Sequence, residues 1–366
     1  MNRPSHGGNL RWAAAIAGCS PSDILDFSAS INPLGPPKSA IAAIDDRLRV
    51  LQAYPDPEYR QLRQALGLLH QLPPDWVLPG NGAAELITWA GRELASLETT
   101  YLVVPAFGDY WRALKAYNAR IQACPMVLEE PDEGIDEGDR LPGSLPTSTG
   151  SQIVGVLLNN PHNPTGKLWT RGAIEPYLEQ FALVVVDEAF MDFLPPQQQQ
   201  SLIPLIREWE NLVVVRSATK FYSIPGLRLG YAIAHPQRLQ RWQRWRDPWS
   251  VNALADAVGI AAIRDREFAQ QTWDWLAAAR GQLQSGLSQI PGLYCHEGAA
   301  NFLLVRSQRP SSQVQRILLE RHRILIRDCL SFPELGEGYF RVAVRSQEEN
   351  QRLLAGLADV MKTSNS

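Results

Sequence analysis

The chain has 366 residues, of which 45% are hydrophobic and 20% charged, and its formal net charge is −3. This composition is typical of a globular protein of about two domains with a large buried core. The slightly acidic balance argues against a nucleic-acid partner or an acidic membrane surface bound through bulk charge. Its cysteines lie far apart, without the spacing of a metal site or a redox pair, and therefore predict free thiols in the cytoplasm: Cys19, Cys124, Cys295 and Cys329.

The first 35 residues combine a short apolar run with two polar, glycine-containing stretches. Residues 12–17 precede Cys19 as in a lipoprotein leader, but the run is too short for one and predicts an alanine-rich helix. No stretch approaches the roughly 20 apolar residues that a membrane span needs. The stretch 6–9, His-Gly-Gly-Asn, would let the backbone approach an anion closely, and a second stretch, 32–37, reads Asn-Pro-Leu-Gly-Pro-Pro.

A glycine-rich turn follows the first helices of the main part of the chain. Residues 38–49 and 60–71 predict amphipathic helices, separated by a turn-rich segment that contains Tyr54. Residues 76–79 predict a strand that leads into Gly-Asn-Gly-Ala-Ala-Glu and a helix start at residues 80–85. Unpaired N–H groups and the helix dipole at such an N-terminus suit a phosphate group.

Further apolar runs predict the strands of a sheet with polar residues at their ends. The strand that begins at Tyr101 leads to Phe107, and the strand over residues 153–158 delivers an Asn-Asn-Pro-His-Asn-Pro-Thr-Gly segment. Asp187 ends a strand over residues 181–186, at the sheet edge where open α/β sheets bind their ligands. A carboxylate at this position can pair with a cationic ring nitrogen.

The strand over residues 212–215 leads to a lone lysine surrounded by hydroxyl groups. Lys220 lies in Ser-Ala-Thr-Lys, and Arg228 follows eight positions later in a glycine-containing turn. Such a lysine can form a Schiff base with an aldehyde cofactor. Ser217, Thr219 and Arg228 can together bind a phosphate dianion, the arginine through its bidentate fork.

The rest of the chain predicts a surface loop, one basic helix and a smaller domain. The acidic stretch 129–151 is typical of a surface loop, and residues 238–249 interleave arginine with tryptophan. We interpret the latter as an amphipathic helix with its arginines in solvent rather than a nucleic-acid site, because the protein is acidic. Helices over 267–287 and 312–322, with strands near 302–305, 324–327 and 340–344, predict an α+β domain.

The predicted fold class is therefore α/β. A large domain over residues 36–250 would contain a mostly parallel sheet of about seven strands, and residues 251–366 would form the smaller domain. The N-terminal segment, residues 1–35, would pack with the smaller domain.

These motifs together resemble the fold-type I pyridoxal-phosphate (PLP) enzymes, the aspartate aminotransferase superfamily. Ser-x-x-Lys with Pro-Gly-Leu-Arg-x-Gly-Tyr at residues 217–231 resembles the lysine segment of that family. Pro-Gly-Asn-Gly-Ala-Ala-Glu at 79–85, Asn-Asn-Pro-His-Asn-Pro-Thr-Gly at 159–166 and Val-Val-Val-Asp at 184–187 follow in the family's order. The resemblance runs over nearly the whole chain and implies PLP as cofactor.

The resemblance also implies roles for individual residues. Lys220 would be the Schiff-base lysine and the acid/base, with a lowered pKa, and Asp187 would hold the pyridine nitrogen protonated. Arg341 would bind the substrate carboxylate, and Arg327 is a candidate for a phosphate on the substrate. The other predicted cofactor ligands are Gly82, Ala83, Ala84, Phe107, Asn163, Ser217, Thr219, Arg228 and, across a homodimer interface, Tyr54; the other predicted substrate ligands are His6, Gly7, Gly8, Asn9 and Asn32.

Within the superfamily, three features resemble the threonine-phosphate decarboxylases. These are the N-terminal stretches 6–9 and 32–37, the sequence Ile-Arg-Asp-Cys at 326–329, and Phe190 where most relatives carry a tyrosine. The function implied is decarboxylation of L-threonine O-3-phosphate to (R)-1-amino-2-propanol O-2-phosphate in cobalamin biosynthesis. Two alternatives stay open: a histidinol-phosphate or related aminotransferase, and a non-catalytic protein with this fold. Residue identities do not report which bond at the substrate Cα is held perpendicular to the cofactor ring.

Overall fold

A computed structural model describes residues 3–4, 6–128, 139–146 and 152–362 of the chain. In those residues the strands are β1 (Leu25–Asp26), β2 (Val77–Asn81), β3 (Thr99–Val104), β4 (Ile121–Pro125), β5 (Val154–Asn159), β6 (Leu183–Asp187), β7 (Leu212–Ser217), β8 (Leu229–Ala234), β9 (Leu293–Cys295), β10 (Phe302–Ser307), β11 (Ile324–Leu325) and β12 (Tyr339–Ala343).

The α-helices of the described residues are α1 (Leu10–Ala17), α2 (Lys38–Arg47), α3 (Arg60–His70), α4 (Gly82–Leu94), α5 (Gly108–Lys115), α6 (Arg171–Ile174), α7 (Ala218–Phe221), α8 (Pro236–Trp245), α9 (Ala253–Arg264), α10 (Arg266–Ser288), α11 (Ser311–His322) and α12 (Gln347–Lys362). Short 3-10 helices span Pro21–Asp23, Leu48–Gln52, Pro74–Trp76, Glu175–Tyr177, Met191–Phe193, Ile203–Leu205, Pro225–Leu227 and Gly336–Gly338. The helix predicted over 38–49 is thus α only to Arg47 and continues as 3-10 helix.

The chain divides into two compact units. We call Leu34–His162 with Leu168–Thr272 the large unit, and Met1–Pro33 with Asn163–Lys167 and Trp273–Ser366 the small unit. The N-terminal segment groups with the C-terminal residues, whereas residues 251–272 group with the large unit. Asn252 caps α9, and α9 packs on α2 and α3. The domain bounds 36–250 and 251–366 stay a prediction.

The large unit is built on a seven-stranded sheet in the order β2-β8-β7-β6-β5-β3-β4. Strands β4, β3, β5, β6 and β7 are parallel, and β8 pairs antiparallel with β7 and β2. The valine-rich strands β6 and β7 are buried throughout, as expected for central parallel strands covered on both faces. The predicted α/β class and the mostly parallel seven-stranded sheet are confirmed.

The small unit contains an antiparallel sheet, β12-β10-β9, and a parallel pair, β1 with β11. Helix α1 packs on α11 through a small apolar cluster that includes Ala13, Ala14 and Leu319. Segment 163–167 joins this unit by a backbone hydrogen bond from Ala299 N to Gly166 O of 2.8 Å.

The surface loop predicted over residues 129–151 contains neither helix nor strand in its described part, although two of its side chains are buried. Residues 139–146 are described, and Leu141 and Leu145 there are buried. The backbone oxygen of Arg140 accepts a hydrogen bond from Trp169 Nε1 at 3.0 Å. Residues 129–138 and 147–151 lie outside the described residues.

Among the helices that are described, none is both long and apolar enough to cross a membrane.

Candidate active site

The glycine-rich turn between β2 and α4 lies beside the predicted phosphate ligand Arg228. Strand β2 ends at Asn81 and α4 begins at Gly82, whose φ of 72° favours glycine. A Cβ on Gly82 would overlap the guanidinium of Arg228, so the helix N-terminus and this cation lie against each other. The N-terminal turn of α4, including Ala83 and Ala84, supplies the backbone N–H groups that anion binding needs.

The hydroxyls that precede the predicted catalytic lysine belong to the same part of the large unit. Ser217 ends β7 opposite Gly230 of β8, and a Cβ on Gly230 would overlap the backbone nitrogen of Ala83. The hydroxyls of Ser217 and Thr219 are 2.7 Å apart and both residues are buried. The fold thus brings together the two predicted halves of the phosphate site, 82–84 and 217–228.

Asp187 is a buried carboxylate at the carboxyl end of β6. Its Oδ2 accepts a hydrogen bond from the Tyr110 hydroxyl at 2.7 Å, and its Oδ1 accepts one from Ala189 N at 2.9 Å. Burial raises the pKa of Asp187, while the charge of Lys220 and the Tyr110 hydrogen bond lower it. Burial and the neighbouring carboxylate hold the pKa of Tyr110 well above its ordinary value, so its hydroxyl stays a proton donor.

Lys220 lies in α7, the single helical turn that follows β7. Its Nζ lies 4.7 Å from the centre of the Phe190 ring, close enough for a cation–π contact. Phe190 is itself buried and carries no hydroxyl that could bind an oxygen atom. An apolar ring therefore lies beside the lysine at this position.

Two predicted aromatic ligands occupy partly or fully exposed positions. Phe107 precedes α5 directly, is partly buried, and has its ring centre 5.7 Å from that of Tyr110. Tyr54 is 79% exposed and stacks on Trp249, with ring centres 4.4 Å apart. The stacking on Trp249 did not follow from the sequence, because it joins residues far apart in the chain.

A buried ion-pair network that the sequence did not predict lies beside Ser217, where β6 and β7 end. Arg216 precedes Ser217, and its Nε donates to Glu188 Oε2 at 2.9 Å. A second carboxylate, that of Asp192, accepts from Nη1 of the same guanidinium. Both carboxylates fix Arg216 although it is fully buried, and this pairing holds the ends of β6 and β7 in place. The only signal in the sequence was adjacency to the motif residues.

In the small unit, the two predicted substrate arginines lie directly opposite each other. Arg327 and Arg341 form an antiparallel bridge, with N–O distances of 3.0 and 2.7 Å. Both side chains are buried, and burial lowers the pKa of Arg341 to about 10, with a further lowering by the charge of Arg327. Two facing cations in a buried place are suited to binding anionic groups.

Asn163 belongs to the same cluster in the small unit. Its Oδ1 accepts a hydrogen bond from Arg341 Nη1, while Arg341 also lies 4.4 Å above the Phe302 ring. An amide also has two N–H donors, so this contact is compatible with the predicted bond from Asn163 to a cofactor oxygen. Asn32 is buried in the small unit as well.

The N-terminal stretch 6–9 of the small unit is exposed and lies against the backbone at Ser28. Gly8 N donates to Ser28 Oγ at 2.8 Å, and a Cβ on Gly7 would overlap the Ser28 carbonyl. Asn9 caps α1 through a bond from Trp12 N to its Oδ1 of 3.1 Å. A narrow cavity is lined by this stretch together with Arg327. Among the predicted substrate ligands, His6, Gly7, Gly8, Asn9 and Arg327 are thus brought together.

Comparison with known proteins identifies the family. The sequence profile of the family described as aminotransferase class I and II matches residues 22–357. The chain belongs to this family.

Individual relatives refine this assignment. The chain is 40% identical to a threonine-phosphate decarboxylase from Salmonella typhimurium, over 98% of this chain and 96% of that protein. It is 30% identical to a histidinol-phosphate aminotransferase from Methanothermobacter thermautotrophicus, over 97% and 94%. The crystal structure of L-threonine-O-3-phosphate decarboxylase from Porphyromonas gingivalis is similar in fold, with a TM-score of 0.79, 24% identity, and coverage of 92% and 99%. The predicted fold of the fold-type I PLP enzymes is confirmed.

Proposed function

We propose that this protein is a PLP-dependent decarboxylase of L-threonine O-3-phosphate that forms (R)-1-amino-2-propanol O-2-phosphate and CO2 in cobalamin biosynthesis. The observation that carries the proposal is the 40% identity, over nearly the full length of both chains, to a curated threonine-phosphate decarboxylase. The facing arginines Arg327 and Arg341 support it, because this substrate carries both a phosphate and a carboxylate.

The residues of the large unit fit PLP. A phosphate group suits the turn at Gly82, where a helix N-terminus lies against Arg228 and the hydroxyls of Ser217 and Thr219 lie near. Burial raises the pKa of Asp187, and a protonated ring nitrogen beside it would supply the positive charge that favours the carboxylate. Lys220 is the amine that would bind the aldehyde. When bound, PLP supplies an electron sink for the electron pair left at the substrate Cα.

The residues of this chain bind the substrate and move one proton. Arg327 binds the phosphate with the stretch 6–9, and Arg341 binds the carboxylate until the Cα–carboxylate bond breaks and CO2 leaves. Lys220 Nζ then donates a proton to Cα, so that substrate and one proton give CO2 and the amine product. By binding the phosphate and the carboxylate separately, the two arginines would set the orientation of the substrate.

The alternative reaction is transamination of histidinol phosphate. The 30% identity to a histidinol-phosphate aminotransferase favours it, since that substrate also carries a phosphate. Histidinol phosphate has no carboxylate, however. In that reaction the buried Arg341 would bind only the carboxylate of the oxo acid, in the second half-reaction. A non-catalytic protein is disfavoured because Lys220, Asp187, Arg228 and Arg341 are all present.

One assay with two substrates discriminates these functions. The PLP-loaded protein is given threonine phosphate alone, and separately histidinol phosphate with 2-oxoglutarate, and CO2 and glutamate are measured. We expect steady CO2 release without an amino acceptor, and loss of it by about 10²–10⁴-fold in Lys220→Ala, as for removal of an acid/base. Lys115→Ala, at a lysine beside Trp111 on α5, is the matched control and keeps full activity. Glutamate formation without CO2 would support the aminotransferase instead.

We also propose a homodimer with a shared active site and no nucleic-acid partner. Tyr54 supports the dimer because a large aromatic side chain with this exposure is suited to contact a second copy. Its hydroxyl would reach the cofactor phosphate of the partner. A cytoplasmic location is proposed from the cysteines, which are all free thiols.

A further inference from the structure

The stretch of chain before α1 is tied to the segment that carries Arg327. Arg3 Nε forms an ion pair with Asp328 Oδ2, and its Nη2 donates to Gln315 Oε1 at 3.0 Å. Gln315 Nε2 in turn donates to the backbone oxygen of Ile326 at 2.7 Å. We call residues 3–4 and 6–9 the N-terminal latch. The contacts of Arg3 hold the N-terminal end of the latch, and the hydrogen bond from Gly8 N to Ser28 Oγ holds its C-terminal end.

The two side chains of the Arg3–Asp328 ion pair differ in burial, and this difference determines the energetic effect of losing Arg3. The Asp328 side chain is 5% exposed and that of Arg3 is 37% exposed. A buried carboxylate without its cation is costly, whereas an exposed arginine without its partner is solvated by water. Arg3 therefore acts mainly by compensating the charge of Asp328.

Asp328 is adjacent in sequence to the arginine that the proposed function assigns to the substrate phosphate. Burial lowers the pKa of Arg327, the charge of Asp328 opposes this and the charge of Arg3 adds to it, so Asp328 and Arg3 both act on the same guanidinium. A carboxylate this close to Arg327 repels an incoming phosphate. When Arg3 is paired with Asp328, the charges of Arg3, Asp328 and Arg327 sum to one positive charge. This charge lies at the cavity that the latch and Arg327 line.

We propose that Arg3 is a positioning residue for the substrate phosphate. Paired with Asp328, it closes the latch over Arg327 and cancels the charge that would otherwise repel the phosphate. The backbone of the stretch 6–9 then faces the same anion as Arg327. This inference rests on the proposed function, in that it takes the anion to be the phosphate of the substrate.

The test compares variants of the full-length, PLP-loaded enzyme. Arg3→Gln is expected to raise KM for threonine phosphate by about 10-fold, which corresponds to about 1.4 kcal/mol of binding. The kcat value should stay within about twofold, because ground-state and transition-state binding are lost together. Arg3→Lys keeps the charge and should restore most of the affinity. Arg11→Gln, at an exposed arginine of α1, is the matched control and should leave KM unchanged.

A double-mutant cycle shows whether Arg3 acts through Asp328. Asp328→Asn removes the repulsive charge at constant shape, so Arg3→Gln/Asp328→Asn should have a KM no higher than Arg3→Gln alone. Additive increases in KM, or a change confined to kcat or to the melting temperature, would overturn the proposal.

The same variants separate this inference from the proposed function. If the wild type releases no CO2 from threonine phosphate, the proposed function fails, and KM for histidinol phosphate is then measured with an oxo acid as acceptor. That substrate also carries a phosphate, so a higher KM for it in Arg3→Gln than in the wild type supports the proposed role of Arg3. Equal KM values for wild type and Arg3→Gln on the phosphorylated substrate that is turned over would overturn it.

Discussion

At Asp187, burial and hydrogen bonding act on the carboxylate in opposite directions. Burial raises its pKa, and the hydroxyl of Tyr110 and the charge of Lys220 lower it. The proposed role needs the ionised form, which is lost as the pH falls through this pKa. The proposed reaction would therefore depend on Tyr110 through Asp187, a role that was missed from the sequence although Tyr110 follows Phe107 by only three positions.

Tyr110→Phe should lower kcat/KM on the acidic side of the pH–rate profile. Without the hydroxyl the pKa of Asp187 moves further up, so the acidic limb of kcat/KM moves to higher pH. At neutral pH we expect kcat/KM to fall by about 10-fold, in the range for loss of a hydrogen bond to a charged group. Tyr101→Phe, a buried tyrosine of β3, is the control. An unchanged acidic limb in Tyr110→Phe would contradict the role given to its hydroxyl.

At the scale of elements, the turn from β2 into α4 has no room for a side chain. Gly82→Ala places a methyl group against Arg228 at a φ of 72°. We expect the dissociation constant for PLP to rise by about 10-fold or more, because the methyl group would displace the Arg228 guanidinium and a lost hydrogen bond to a charged group costs about 1.5–3 kcal/mol. Equilibrium titration with PLP measures this. At Gly172 in α6, φ is ordinary and a Cβ would meet no atom closer than Thr170 Oγ1 at 3.9 Å, so Gly172→Ala should leave PLP affinity unchanged. Equal affinities in the two variants would argue against the turn as the phosphate site.

Most elements could be predicted from local sequence, because apolar periodicity and turn residues are local signals. Strands β6 and β7 are runs of valine, and α3 and α10 end within a few residues of their predicted bounds. The contacts that assemble the site could not be predicted in this way. Segment 163–167 joins the small unit through Gly166, and Arg3 contacts Gln315, which is 312 positions away. The resemblance of motifs supplied roles for the site residues, but not partners such as Tyr110 or Asp328.

At the scale of the whole molecule, several large apolar side chains of the large unit are exposed. Ile41, Leu48, Leu51, Tyr54 and Trp249 are each at least 43% exposed. Scattered apolar residues are normal on a surface, but Ile41, Leu48 and Leu51 lie on α2 and the 3-10 helix that continues it, and Tyr54 stacks on Trp249. We expect these side chains to contact a second copy.

Light scattering should therefore give twice the mass of the chain. Tyr54→Phe should keep that mass while raising the dissociation constant for PLP by about 5- to 10-fold, since one hydrogen bond to a charged phosphate is lost. Tyr101→Phe again serves as the control. A protein that is strictly monomeric and fully active would contradict the shared site.

The central claim is that the bond broken at the substrate Cα is the one to the carboxylate. It is tested most directly by incubating the PLP-loaded protein with L-threonine O-3-phosphate in D2O, without an oxo acid, and following the reaction by NMR. Proton donation to Cα after CO2 has left predicts equimolar CO2 and 1-amino-2-propanol O-2-phosphate with one deuterium on the carbon that carries the amine. Threonine phosphate that exchanges its Cα proton for deuterium while retaining its carboxylate would contradict the account.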